Sequence, residues 1–317
     1  MEVIRDLQAC PRPVDGTALT IGAYDGVHLG HRAVISAVRS HASRQGTKSA
    51  VVTFDRHPAQ VVRPDSAPFL LTSLDQKLEL LASTGVDYTL VITFNESRAK
   101  EPPEDFVMEV LVDCMNTRLV VVGQDFHFGH QRRGNVALLR ELGQANGFSV
   151  IGHHLVDRFG HDARDDTLVS STAIRRALHD GRLNDANALL GRPHEMRGPV
   201  VRGDGRGREL GFPTANIAIA PEMLMPADGI YAGWYDRPGG DTHPAAIYIG
   251  TRPTFYANEE MSLLEAHLLD FDGDLYGEMA RVHLIEQLRG DKAFDTAEAL
   301  ARQLRVDCED ARVVLGA

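Results

Sequence analysis

Two groups of residues with phosphate-binding character lie far apart in the sequence. In the first, from Gly22 to His31, glycines stand at 22, 26 and 30 and histidines at 28 and 31. Glycines let the backbone approach a ligand closely, and two histidines at the start of a helix can face one anion together with the helix N–H groups. This pattern suits nucleotidyl transfer, in which an anionic nucleophile attacks the α-phosphate of a nucleoside triphosphate and pyrophosphate leaves.

The second group combines a glycine-rich cationic loop with polar strand residues. Gly205, Arg206 and Gly207 could surround phosphates with backbone N–H groups. Thr214 and Asn216 are separated by one residue, so on a strand they point to the same face. A hydroxyl and an amide oxygen are hard ligands that suit Mg²⁺ beside substrate phosphates.

Glu265 adds a carboxylate to this second group. It lies within the apolar run 263–271, where a carboxylate is costly unless it is paired or exposed, and it could accept the proton of an attacking hydroxyl. Taken alone, each of these features also fits a structural role: a glycine-rich turn, ordinary polar strand residues and a solvent-facing glutamate.

The first group falls between elements that the hydrophobic pattern predicts. Short apolar runs alternate with segments of helical periodicity, which favours a Rossmann-like parallel sheet covered by helices on both faces. Gly22–His31 then follows the first strand, at the carboxyl edge where such sheets bind ligands. The predicted strands are Thr17–Ile21, Ser49–Phe54, Tyr88–Phe94, Arg118–Val122 and Phe148–Leu155, and the predicted helices are His31–Arg44, Ser73–Ser83, Pro103–Met115, Asn135–Asn146 and Ser171–His179.

The pattern changes near Gly191. Six strand-like runs separated by turn residues predict a compact antiparallel barrel or sandwich, and Ala293–Leu315 predicts a C-terminal helix. The runs are Met196–Arg202, Thr214–Ile219, Ile230–Tyr235, Ala245–Thr251, Ser262–Asp270 and Met279–Ile285.

The composition is that of a soluble globular protein large enough for two domains, with 317 residues. A net charge of −11 argues against a nucleic-acid polymer as a partner. Cys10, Cys114 and Cys308 are far apart with no CxxC pair, which predicts free thiols in a reducing compartment. There is no apolar run of roughly 18 residues and no signal-peptide pattern, so we expect a cytoplasmic protein without a membrane partner.

Four segments, in this order, resemble the prokaryotic bifunctional riboflavin kinase/FAD synthetase family: Gly22–His31, Thr53–Pro58, Gly123–Gly129 and Ser170–Arg175. Tyr24 stands where the family usually has Phe, and Arg56 where Pro is common. The resemblance implies an N-terminal domain that adenylylates FMN. It implies that Gly22, Asp25, His28 and His31 contact ATP, that Ser171, Thr172 and Arg175 bind its phosphates, and that Asp125 and Phe128 lie at the ATP and flavin ends of the cleft.

Four later segments resemble the riboflavin kinase module of the same family: Gly205–Asn216, Asp228–Tyr231, Ile249–Phe255 and Glu265–Phe271. This resemblance implies a six-stranded Greek-key barrel. It also implies that Thr214 and Asn216 lie at Mg²⁺-ATP and that Glu265 is the base toward the riboflavin 5′-hydroxyl.

The predicted function is therefore FAD biosynthesis in two steps. Residues 191–317 would convert riboflavin and ATP to FMN and ADP, and residues 1–190 would convert FMN and ATP to FAD and pyrophosphate. The predicted catalytic residues are Glu265, His28, His31 and Arg175; a homo-oligomer is compatible with the sequence.

Three alternatives remain open at this stage: a single active module, a flavin-binding sensor or carrier without catalysis, and an adenylyltransferase for another phosphate substrate. The intact histidine pair, Glu265 and Arg175 disfavour the first two, and the kinase-like barrel disfavours the third.

Overall fold

The structure, a computed structural model, describes residues 1–153, 169–203, 205–251 and 262–317. They form two compact units, Met1–Ser171 and Thr172–Ala317. Two parts of the sequence predictions lie outside the described residues: the end of the strand predicted to reach Leu155, and positions 252–255 of the third kinase-like segment.

The first unit is built on a six-stranded sheet whose neighbouring strands are all parallel, in the order β1-β4-β3-β2-β5-β8. Its central strands are apolar on both faces because helices cover both. Ala18 packs with Val38 on one face, and the next residue, Leu19, packs with Leu111 on the other. The sheet strands are β1 (Glu2–Ile4), β2 (Thr17–Ile21), β3 (Lys48–Phe54), β4 (Tyr88–Ile92), β5 (Thr117–Gly123) and β8 (Ser149–His153), and a separate antiparallel ribbon joins β6 (His127–Phe128) to β7 (Gly134–Asn135).

The longer α-helices of this unit begin after residues whose side chains cap them, namely His28, Ser73 and Asn135. Ser73 and Gln76 form the capping box that the sequence indicates. The predicted helix from Pro103 is α-helical only at its start and continues as a π-helix over Val107–Cys114. The α-helices are α1 (Leu29–Gln45), α2 (Ala59–Val62), α3 (Leu74–Ser83), α4 (Glu96–Ala99), α5 (Pro103–Phe106) and α6 (Val136–Asn146), with short 3₁₀ turns at Leu7–Ala9, Pro64–Ser66 and His130–Arg132.

Strands β1, β6 and β7 are absent from the sequence predictions. Each has only two or three residues, too few to show a period of two in the sequence. Their pairing comes from tertiary contacts: Glu2, Val3 and Ile4 lie opposite Tyr88, Thr89 and Leu90 at the sheet edge.

The expectation of free thiols is wrong for two of the three cysteines. Cys10 and Cys114 form a disulfide with their Cα atoms 5.2 Å apart, and only Cys308 is free. The two residues are 104 positions apart in the sequence, and they meet because Cys10 packs against the core cluster that contains Cys114. The spacing of cysteines in the sequence carries no signal for this pairing.

The second unit is a closed, antiparallel six-stranded barrel with the order β10-β13-β12-β11-β14-β9, as predicted. The predicted C-terminal helix, α10 (Ala297–Leu315), packs on β11, β12 and β14. The strands are β9 (His194–Val201), β10 (Ala215–Ala218), β11 (Gly229–Asp236), β12 (Thr242–Thr251), β13 (Ser262–Leu268) and β14 (Met279–Gly290), and the other helices are α7 (Ser171–His179, whose first residue belongs to the first unit), α8 (Leu183–Leu190) and α9 (Arg206–Glu209).

No helix in the described ranges combines the length and the apolar character needed to cross a bilayer.

Candidate active sites

The loop between β2 and α1 has a constrained backbone. Tyr24, Gly26 and Val27 have φ values of 52°, 84° and 39°, in the left-handed region. Such a conformation is unusual for a β-branched residue like Val27, and strain of this kind persists only where the surroundings hold the chain in place. At Gly30 a Cβ atom would lie 3.0 Å from the Val169 carbonyl oxygen, so a side chain here would be tightly packed against that carbonyl.

His28 and His31 form a stacked pair at the start of α1. Their ring centroids are 3.6 Å apart with an interplanar angle of 18°. His28 is the N-cap residue, and its Nδ1 accepts a hydrogen bond from the His31 backbone N–H at 3.3 Å. The predicted pairing of the two histidines at a helix N-terminus is therefore present, with His28 buried and His31 partly exposed.

Asp25 is buried, and its carboxylate holds a neighbouring segment of backbone. It accepts hydrogen bonds from the Leu71 and Thr72 backbone N–H groups at 3.0 Å and from Thr72 Oγ1 at 3.2 Å. Thr72 Oγ1 also accepts from the Gly26 N–H at 3.0 Å. The side chain predicted to contact ATP thus fixes the loop to the residues that precede α3.

The other predicted residues of the first site are distributed as follows. Ser171 Oγ donates to the Asp25 carbonyl oxygen at 2.9 Å, which joins the start of α7 to the Gly22–His31 loop. Asp125 is exposed after β5, whereas Phe128 is buried and stacks on Phe126 with centroids 5.5 Å apart. Thr172 and Arg175 lie on α7 within the second unit.

In the second unit, Thr214, Asn216 and Glu265 lie together on the outer face of the barrel. Thr214 Oγ1 donates to Glu265 Oε2 at 3.1 Å. On β13, Glu265 lies opposite Asn216 of β10 and Tyr248 of β12. Residues 51 positions apart in the sequence therefore form one cluster of hydroxyl, amide and carboxylate groups.

The glycine-rich loop is partly a helical turn, α9, and not a fully extended loop. The Gly207 position is crowded, since a Cβ atom there would lie 2.4 Å from the Phe212 carbonyl oxygen. Gly205, with φ of 75°, has open space around it. The side chain of Arg206 lies outside the described part of the chain.

A cavity of about 370 Å³, here called the outer cavity, lies between the barrel wall, the glycine-rich loop and α10. Glu265, Asn216 and Thr214 line it together with aromatic and aliphatic side chains. The apolar lining includes Phe212, Ile230, Tyr248, Phe294, Leu300 and Leu304.

A cavity of about 560 Å³, here called the inner cavity, lies on the other side of the same strands. On β13, Glu265 and His267 line the outer cavity and Ala266 and Leu268 the inner one, as expected for residues that alternate across a strand. Thr214 lines both cavities. Thr214, which lies beside Glu265, therefore belongs to the walls of both cavities and marks their junction.

Sequence reasoning missed two buried charged groups near these sites. Lys77, on α3, is 7% exposed and donates to the backbone carbonyls of Ala23, in the loop after β2, and of Phe54, the last residue of β3. Asp307, on α10, is 2% exposed and pairs in a bidentate manner with Arg289 at the wall of the outer cavity. The residue types predict solvent-facing positions. The signal against this is the spacing, since Lys77 and Asp307 each lie four residues before a buried apolar residue of the same helix, Leu81 and Ala311.

Comparisons with known proteins agree with this division into two units. Residues 11–173 match the family model for FAD synthetase, and residues 190–315 match the family model for riboflavin kinase. The chain is 36% identical over 317 residues to the bifunctional riboflavin kinase/FMN adenylyltransferase of Escherichia coli (strain K12), covering 100% of this chain and 98% of the relative.

The chain belongs to the bifunctional riboflavin kinase/FMN adenylyltransferase family.

One further relative and one solved structure are similar over nearly the whole chain. The family member from Listeria monocytogenes is 37% identical over 295 residues, covering 93% of this chain and 91% of the relative. A crystal structure of a macrolide-efflux protein from Streptococcus pneumoniae is similar over 98% of this chain and 99% of its own, with a TM-score of 0.85 and 27% identity.

The predicted family, fold class and enzyme activities are thereby confirmed: a parallel-sheet unit that matches FAD synthetase precedes a barrel that matches riboflavin kinase.

Proposed function

We propose that the second unit phosphorylates riboflavin with Glu265 as the general base, and that the first unit adenylylates FMN at the His28–His31 pair. The observation that carries the kinase assignment is the position of Thr214, which lines both cavities and donates to Glu265 at 3.1 Å.

In this proposal each cavity takes one kinase substrate. The outer cavity, with its aromatic and aliphatic lining, suits the flat isoalloxazine ring of riboflavin. The inner cavity, beside Arg208, takes ATP, so that its γ-phosphate reaches the junction at Thr214. Glu265 accepts the proton of the riboflavin 5′-hydroxyl as the oxygen of that hydroxyl bonds to the γ-phosphorus of ATP. The bond to the β-phosphate oxygen breaks and ADP leaves.

The donor set at this junction fits Mg²⁺. Thr214, Asn216 and Glu265 offer hydroxyl, amide and carboxylate oxygens within one cluster, and Mg²⁺ prefers such hard oxygen ligands with substrate phosphates completing its shell. Thr214 and Asn216 would hold the ion, which would neutralise charge that develops on the γ-phosphate.

For the first unit, the α1 N-terminus and the imidazole pair supply positive potential for the triphosphate of a second ATP. An oxygen of the FMN phosphate bonds to the α-phosphorus of ATP, the bond to the β-phosphate oxygen breaks, and FAD and pyrophosphate form. Because the nucleophile is already anionic, positioning and charge stabilisation matter more than a general base.

The remaining predictions stay part of this proposal. Gly22, Asp25, Ser171, Thr172 and Arg175 serve the ATP of the first site, with Asp125 and Phe128 toward ATP and flavin. Gly205, Arg206 and Gly207 serve the phosphates of the kinase site.

We also infer a functional division at 190/191, which lies next to the start of the riboflavin kinase match at residue 190. The partners would be small molecules and not nucleic acid or membrane, with a homo-oligomer allowed. The location would be the cytoplasm, where ATP for both steps is made.

The experiment incubates purified protein with riboflavin, Mg²⁺ and ATP and measures FMN and FAD by HPLC. Glu265→Ala should lower FMN formation roughly 100-fold or more while FAD formation from added FMN continues. His28→Ala combined with His31→Ala should do the reverse. Glu286→Ala, at an exposed β14 position, is the matched control and should change neither rate. The kinase assignment is wrong if Glu265→Ala makes FMN at the normal rate. The adenylylation assignment is wrong if the double histidine variant makes FAD normally.

A further inference from the structure

Lys77 is a buried cation beside the loop of the first site. It lies on α3 and is 7% exposed. Its Nζ donates to the Phe54 carbonyl oxygen at 2.7 Å and to the Ala23 carbonyl oxygen at 3.2 Å. An ammonium group in this position is costly because it gives up its hydration, so its presence needs a reason beyond filling space.

The two carbonyl groups lie at the carboxyl ends of neighbouring strands. Ala23 follows β2 and Phe54 ends β3, and these two parallel strands are adjacent in the sheet. Lys77 therefore links the Gly22–His31 loop to the end of β3 at the carboxyl edge. The Ala23 carbonyl oxygen accepts a second hydrogen bond, from Thr53 Oγ1 at 3.2 Å, which fixes the peptide that precedes Tyr24.

The segment from Leu71 to Lys77 thus holds the Gly22–His31 loop at two places. Its first end binds the Asp25 carboxylate through the Leu71 and Thr72 N–H groups, and its last residue binds Ala23 through an ammonium group. The strained residue Tyr24, with φ of 52°, lies between these two attachments. A loop in a strained conformation needs such fixed attachments to persist.

We propose that Lys77 is a positioning residue for FMN adenylylation, whose ammonium group holds the Gly22–His31 loop in the geometry that binds the triphosphate. This inference rests on the function proposed for the His28–His31 pair.

The charge of Lys77 can be titrated. Burial lowers its pKa to about 8, and the carboxylates of Asp25, after β2, and Asp55, after β3, oppose this shift. Above that pH the neutral amine keeps two N–H groups but loses its attraction to both carboxylates. The loop is then held less firmly. Riboflavin phosphorylation, which the proposal places in the unit that does not contain Lys77, serves as the internal control.

The first test compares Lys77→Met, Lys77→Arg and the matched control Lys100→Met, which removes an exposed lysine of the same unit. We expect Lys77→Met to lower kcat for FAD formation roughly 10- to 100-fold, the range for a misplaced catalytic loop, with riboflavin phosphorylation unchanged. Lys77→Arg, which keeps the cation, should recover much of the rate, and Lys100→Met should match the wild type.

The second test does not depend on whether a variant folds, since it measures the rate of FAD formation by the wild type from pH 6.5 to 9.5. The rate of FAD formation should fall roughly fivefold to a lower plateau above about pH 8. This factor corresponds to the difference in free energy between a hydrogen bond from a charged donor and one from a neutral donor. Lys77→Arg should lack this fall, because arginine stays charged.

Full activity in folded Lys77→Met would overturn the inference. If Lys77→Met does not fold, the pH test decides. The inference is also overturned if the rate of FAD formation by the wild type does not fall at alkaline pH, or if Lys77→Arg shows the same fall. A wild-type protein that makes no FAD from FMN would instead contradict the proposed function itself.

Discussion

His28 accepts a hydrogen bond on Nδ1 from the backbone N–H of His31, and the ring of His31 stacks on it with centroids 3.6 Å apart. Because Nδ1 is the acceptor, the proton of the neutral His28 ring resides on Nε2. The structure shows Nδ1 capping α1, and the proposed adenylylation assigns the Nε2–H a second task, as a donor to phosphate.

Two amide substitutions separate these tasks. His28→Asn keeps a short acceptor for the His31 N–H, so we expect near wild-type stability and a loss of FAD formation of roughly 100-fold. His28→Gln reaches further, so it should retain more activity but destabilise the first unit by about 1 kcal/mol through the weaker cap. Thermal unfolding and FMN adenylylation assays measure both effects. Equal activity and equal stability of the two variants would contradict the division of tasks.

The hydrogen bond between Thr214 and Glu265 predicts a graded effect on the kinase. Thr214→Val removes the hydroxyl with little change in shape, so Glu265 loses its donor and the two cavities lose the polar group at their junction. We expect riboflavin phosphorylation to fall roughly 100-fold. Thr214→Ser keeps the hydroxyl and should stay within about tenfold of the wild type. FAD formation from added FMN should be equal in both variants. A fully active Thr214→Val enzyme would show that this hydroxyl has no role.

Much of the architecture could be predicted because it depends on local patterns. The alternation of β-branched runs and helical periodicity identified β2, β3, β4, β5 and β8, and the capping box identified the start of α3. The six barrel strands were predicted for the same reason, with turn residues between alternating runs. The location of His28 and His31 at the carboxyl edge of the sheet could also be predicted, because their segment directly follows a strand.

The parts that could not be predicted depend on side chains that are distant in sequence. Lys77 has the spacing of the buried face of α3, three residues after Leu74 and four before Leu81, but only the fold reveals that its ammonium reaches Ala23 and Phe54. The junction of the two cavities at Thr214 requires β10 to pair with β13. The role of Asp25 in holding Leu71 and Thr72 is hidden because it involves backbone donors, which leave no pattern in the sequence.

The Cys10–Cys114 disulfide predicts a redox-dependent stability of the first unit alone. It joins residues 104 positions apart, and the removal of a cross-link over so long a loop costs about 2–4 kcal/mol. Dithiothreitol or Cys10→Ser should therefore lower the melting temperature of the first unit. Trp234 is the single tryptophan and lies on β11, so its fluorescence reports the barrel and should be unaffected. Cys308→Ser, which leaves the disulfide intact, is the control and should not change the melting temperature of the first unit. An unchanged first-unit transition under reductant would contradict this prediction.

His194 predicts the pH dependence of barrel stability. It is buried at the start of β9, and its backbone N–H donates to Asn187 Oδ1 at 2.8 Å, while Asn187 Nδ2 donates to the Leu284 carbonyl oxygen at 3.0 Å. The ring Nε2 is buried without a hydrogen-bond partner among the described residues. Burial, with a smaller effect of the nearby Arg192 charge, lowers the pKa of His194 to about 4.

The sign of the effect follows from where the proton binds. Between pH 6.5 and 4 the unfolded chain takes up a proton that the folded barrel excludes, so the stabilisation is complete above pH 6.5 and is lost as the pH falls toward 4. The full loss corresponds to about 3 kcal/mol. His194→Phe keeps the backbone bond to Asn187 and removes the titrating group. Urea unfolding followed by Trp234 fluorescence should then depend less on pH in this variant, whereas His179→Gln, at an exposed position, should behave like the wild type. If the free energy of unfolding depends equally on pH in His194→Phe and in the wild type, groups other than His194 cause the acid sensitivity of the barrel.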